Sequence, residues 1–164
     1  MDEPTDSVHP ARQTMPQAGN MSSTLLEVLH AFTDPENEAQ LHALDVAIQA
    51  LAPASCGQAE LQVLFDVFER FAEHDGYGVF WSILHMLEVC DGCTSALLAS
   101  VRRKPCEFNV LMINRLLNAG LSDIDGQSLE NVLQSVLLHP DATAQALDDA
   151  ACYLALRNVR PVSN

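Results

Sequence analysis

Beyond residue 21 the apolar positions of the chain fall at helical spacing almost without interruption. Leu25, Leu26, Val28, Leu29 and Phe32 mark a first helix that Ser23 can cap, ending at Asp34-Pro35. Asp34 suits the N-cap and Pro35 the first turn of a second helix, whose Leu41, Leu44, Ile48 and Leu51 share one face. Pro53 and Gly57 interrupt it. A third helix is predicted over 58–74, with Leu61, Leu64, Phe65, Phe68 and Phe71 on one stripe, and Asp75-Gly76 turns the chain. A fourth follows over 77–90, a fifth over 94–103 before Pro105, and a sixth over 107–118, closed by Gly120. A seventh starts near Ser128 and stops before Pro140; Asp141 caps an eighth that reaches about Leu156. No segment carries a strand or two-residue hairpin pattern.

The odd-numbered helices begin near 23, 58, 94 and 128, a period of ~35 residues that predicts stacked antiparallel helix pairs. The expected fold is therefore all-α: about eight helices in a short HEAT-like solenoid over 22–160, behind a disordered tail over 1–21 rich in Pro, Ser, Thr and Gln. A compact irregular bundle is the alternative. The fourth and sixth helices are apolar on most sides, which predicts central positions. Hydrophobic residues make up 48% of the chain and aromatics only 5%, so the core should be mainly Leu, Val, Ile and Ala.

Charge changes the picture of partners. The net charge is −14, with −13 in residues 1–100 and −1 in 101–164. So acidic a chain repels nucleic acid and anionic membrane and attracts basic proteins; alternatively, the acids are a solvated face kept for solubility. The N-terminus lacks a signal-peptide pattern and no stretch is long and apolar enough to span a bilayer, so a cytoplasmic protein is expected. Five unpatterned cysteines are then expected as reduced thiols.

Candidate chemistry centres on the segment from His74 to Trp81, which holds the only Trp and one of two Tyr. On a continuous fourth helix Tyr77, Trp81, His85 and Glu88 would form one stripe, a recognition face of the types common at interface hot spots. The alternative places Tyr77 and Trp81 in the core with only their polar tips bonded. In the sixth helix Asn114 and Arg115 break an apolar run. Arg115 requires an acidic partner, for which Asp75 and Glu88 are candidates; the pair either joins the recognition groove or serves only to tie a loop and clamp helices. The candidate partner-binding set is thus His74, Asp75, Tyr77, Trp81, His85, Glu88, Asn114 and Arg115. Cys90-Asp91-Gly92-Cys93 forms a CxxC for which only Cys106 and His85 are imaginable further zinc ligands. Asp123-Ile124-Asp125-Gly126 fails as a calcium loop, because Leu121 and Val132 occupy the positions that need carboxylates. Adjacent His74 and Asp75 lack a nucleophile motif. No catalysis, cofactor or metal is expected.

The segments HDGYGVFWSILHMLE at 74–88 and FNVLMINRLLNAG at 108–120 resemble a helical family of bacterial immunity proteins from polymorphic toxin systems, some of them HEAT-like. The resemblance implies a small cytoplasmic protein that binds a cognate toxin domain, here a basic one, and blocks it without chemistry. The alternatives are a helical-repeat adaptor or scaffold and, more remotely, a metal-binding protein using Cys90 and Cys93.

Overall fold

The computed structural model describes residues 18–159 of the 164-residue chain. Among the described residues the fold is all-α, with helices α1 (Ala18–Ala31), α2 (Glu38–Ala50), α3 (Gln58–Arg70), α4 (Val79–Val89), α5 (Cys93–Arg103), α6 (Glu107–Asn118), α7 (Leu129–Val136) and α8 (Ala144–Val159). Successive helices pair, and the pairs stack in two layers. In one layer α1 packs on α3, α3 on α5 and α5 on α7; in the other α2 packs on α4 and α6 on α8. None of the described helices is long and apolar enough to cross a membrane.

Several ties between neighbouring pairs join residues about one repeat apart in sequence. Arg103 grips Glu69 at a separation of 34, His139 reaches the Arg102 carbonyl at 37, and His74 meets Glu36 at 38. Such spacing is what a stack of similar units produces, since equivalent positions of adjacent units lie side by side.

The core is filled mainly by Leu, Ile, Val and Ala, as expected, around an aromatic centre. Phe32, Phe68, Phe80 and Phe108 are buried and come from the end of α1, α3, α4 and α6. Phe68 stacks on Phe108 with centroids 4.8 Å apart, and Phe80 meets Phe68 at 5.9 Å and Phe108 at 5.8 Å. Aromatic pairs of this kind contribute about 0.5–1.5 kcal/mol beyond area burial, so few aromatics go far when concentrated where the layers meet. Leu, Ile and Val fill the rest of one core running from Leu25 to Ala150.

Several element ends differ from expectation. α1 is already helical at Ala18, inside the expected tail, while residues 1–17 of that tail lie outside the described residues. Asn37, not Asp34, caps α2: its side chain accepts from Gln40 N at 3.1 Å. Asp34 closes the preceding turn by accepting from Glu36 N at 3.0 Å, and Pro35 sits in that turn. α3 stops at Arg70, whose guanidinium donates to the carbonyls of Phe32 at 2.7 Å and Leu29 at 3.0 Å, satisfying carbonyls at the end of α1. α8 starts after Thr143, whose Oγ1 accepts from Ala146 N at 3.2 Å, rather than at Asp141.

A two-residue hairpin that the pattern did not predict pairs β1 (Asp123–Ile124) with β2 (Gln127–Ser128). Its turn residues, Asp125 and Gly126, have φ of 52° and 76°, the left-handed pair that an Asp-Gly hairpin turn requires. That dipeptide was the available signal.

The cysteines also correct an expectation. Cys56, ahead of α3, is disulfide-bonded to Cys90 at the end of α4, with Cα atoms 5.8 Å apart. The two lie one repeat apart, so stacking rather than any sequence framework brings them together. Cys93 and Cys106 remain buried thiols and Cys152 an exposed one.

Candidate functional site

The turn between α3 and α4 is built from three consecutive left-handed residues. Gly76, Tyr77 and Gly78 have φ of 61°, 46° and 91°. A Cβ at Gly76 would lie 2.3 Å from the Phe80 ring, so the close approach of backbone to core demands glycine there. Tyr77 gains no such relief; a β-carbon in this region costs roughly 1–2 kcal/mol. Asp75 holds the turn by accepting from Tyr77 N at 3.0 Å.

The consequence is that Tyr77 leaves the predicted α4 stripe. It is 66% exposed and its hydroxyl donates to Glu36 Oε2 at 2.6 Å. Glu36 also meets His74 Nε2 at 2.8 Å, and the His74 ring lies edge-on to Tyr77 at 5.3 Å. The hydrogen bond from Tyr77, followed by that from His74, holds the Glu36 carboxyl below its ordinary pKa, and the same bond raises the Tyr77 phenol above its own. Glu36, His74, Asp75 and Tyr77 therefore form one corner cluster, exposed apart from half-buried His74.

Trp81, His85 and Glu88 do share a face of α4, as the spacing predicted, and all three are exposed. Trp81 is divided between the two readings: it is 39% exposed, while its ring sits edge-on to buried Phe108 at 5.6 Å. His85 lies beside it, with ring centroids 6.2 Å apart. Glu88 takes Arg115 in a two-point ion pair, Nε to Oε1 and Nη2 to Oε2, the latter at 3.0 Å. Of the two acids considered for Arg115, Glu88 is the partner; Asp75 serves the turn. Asn114 falls outside this face. Its Oδ1 accepts from Arg157 at 3.0 Å, and Asn118 does so at 2.9 Å, so Asn114 helps tie α8 to α6. The eight candidates thus divide into a corner cluster, an α4–α6 face and one structural tie.

Sequence reasoning missed Glu36, and an acidic groove beside the corner. That groove, about 500 Å³, is lined by Glu73, His74, Asp75, Glu107 and Thr143, among others. Burial first, and then the fields of Asp149 and Asp75, raise the Glu107 carboxyl above its ordinary value. The repeat period was the one signal that could have found Glu36, since it sets the α1–α2 loop next to the α3–α4 loop.

The CxxC does not assemble a site. Cys90 is bonded to Cys56 instead of lying free beside Cys93. Burial, with a smaller push from Glu88, raises the Cys93 thiol to about 12, and burial raises Cys106 to about 12. Thiols so shifted stay protonated and are poor ligands or nucleophiles. Among the described residues no group of three or more His, Cys, Asp or Glu side chains is placed to hold a metal ion. What the exposed surface offers is aromatic area edged with carboxylates, suited to contact and charge recognition. Comparison with known proteins found no matching family model, no matching curated protein and no matching solved structure.

Proposed function

We propose that this domain is a non-catalytic protein-binding module of the immunity type, which neutralises a basic toxin domain by occupying its surface. The observation that carries the reading is Tyr77: a large aromatic kept in solvent by a left-handed backbone, with Glu36 bonded to its tip. Strained residues held in place by their surroundings cluster at functional sites. Trp81 and His85 add a second exposed aromatic area on α4, and the acidic groove supplies the charge. A chain of −14 gains encounter rate and specificity with a basic partner from such an arrangement. The same reading places the protein in a bacterial cytoplasm, where the Cys56–Cys90 bond stands as an exception to the usual reduced state of thiols.

The test is a pull-down with the purified chain from lysate of its source at low and moderate salt, with the bound proteins identified by mass spectrometry. Capture of a basic toxin domain is expected, with Trp81→Ala weakening it about 30-fold or more if Trp81 is a hot spot. Undiminished affinity of a folded Trp81→Ala would overturn the choice of face. Recovery of neutral housekeeping proteins alone would favour a helical-repeat adaptor instead.

A further inference from the structure

The two layers are not equally closed. Between the C-terminal ends of α4 and α6 and the start of α5 lies a cleft of about 620 Å³, within the size range of pockets that enclose ligand groups. Its lining includes the apolar residues Leu87, Leu97, Met112 and Leu116, with Glu88, Asp91 and Arg115 as its charged groups. We propose that this cleft receives a long cationic side chain, arginine or lysine, of the basic partner, its stem on the apolar lining and its charge beside Asp91 and Glu88. The proposal rests on the binding reading above and names where the partner inserts.

Charge decides the sign of the occupant. Arg115 is already neutralised by Glu88 in a two-point pair. Asp91 is exposed and contributes a full negative charge. The ends of α4 and α6 each bring roughly −0.5 of an elementary charge and the start of α5 roughly +0.5. The balance is near −1.5, against a chain background of −14. An anion would meet that whole field, whereas a guanidinium or ammonium would add a charge-assisted hydrogen bond. The cleft also adjoins the exposed α4 face, since Glu88 belongs to both. A partner lying across Trp81 and His85 would therefore have its next side chains over the opening.

The experiment titrates n-butylguanidinium, n-butylurea and pentanoate into the isotope-labelled full chain and follows backbone amide shifts. Saturable shifts confined to Gly92, Cys93, Leu97 and Leu116 are expected with the guanidinium. Butylurea should bind about tenfold more weakly, for want of the charge-assisted bond, and pentanoate not at all. Asp91→Asn should weaken the guanidinium several-fold, and Leu116→Trp should abolish it by filling the cleft. Pentanoate binding as well as the cation, or an Asp91→Asn variant with unchanged affinity, overturns the proposal even if Leu116→Trp fails to fold. The two readings fail separately. A cation pocket without any basic protein partner would leave the cleft and remove the toxin reading. A partner bound equally well by folded Leu116→Trp would do the reverse.

Discussion

Two corners of the stack do the same structural job in opposite ways. At the turn between α5 and α6, polar groups are gathered inward. Asn109 is fully buried; its Oδ1 accepts from Cys106 N at 2.9 Å, and its Nδ2 donates to Ser100 Oγ at 3.0 Å and to the Lys104 carbonyl at 3.0 Å. Ser100 passes the chain on to Glu69 at 2.7 Å, which Arg103 holds from outside. Between α3 and α4 the polar groups are turned outward instead: Glu36, Asp75 and Tyr77 are exposed, on a backbone that costs energy to keep. A satisfied buried network explains itself by stability. An exposed aromatic on a strained backbone does not, and that contrast is why function is sought at the second corner.

The comparison can be broken most directly at Gly76. Gly76→Ala drives a Cβ into the Phe80 ring at a positive φ, so a loss of about 3–4 kcal/mol is expected in denaturant unfolding; a loss under about 1 kcal/mol would mean the turn is not held as described. In the inward corner, Asn109→Ala orphans a buried amide and a carbonyl, and about 3 kcal/mol should be lost. In the outward corner, Tyr77→Gly sets relief of left-handed strain against loss of an exposed hydrogen bond and a cost in chain entropy, so stability should change by less than about 1 kcal/mol. Binding of the basic partner should nonetheless fall. A large stability loss with intact binding would show Tyr77 to be structural.

The smallest effect is one of pH. Because the folded-state carboxyl of Glu36 is depressed, its contribution is present above the ordinary carboxylate value of 4.5 and is lost as pH falls through the depressed one. Glu36→Gln should remove that acid-side loss and let the Tyr77 phenol titrate closer to its usual 10.0, which absorbance titration would record. Tyr153, raised mainly by burial, should be unmoved.

Much of the fold was legible because helix periodicity is local. Leu41, Leu44, Ile48 and Leu51 announced a buried face, and all four are buried. The boundaries of α6 and its Gly120 stop were read directly, since the αL closure needs only the residues beside it. Asp34-Pro35 misled because an N-cap pair and a turn share the same residue types; which was meant depended on Asn37 and Gln40. Within the candidate site, the Trp81, His85 and Glu88 face followed from spacing alone. Tyr77 did not, because Gly76 and Gly78 release it from the helix.

The amino-acid order by itself determined where helices form, how often they repeat, and that the surface is acidic, for each of these depends on residues near one another in the chain. Tertiary structure alone decided that Cys56 meets Cys90, that Glu36 joins His74 and Tyr77, and that Phe32, just past α1, shares one centre with phenylalanines of α3, α4 and α6. It also left a cleft between α4 and α6. Those are contacts between stacked units, and their geometry is set by how far neighbouring helices can approach, which no local pattern encodes.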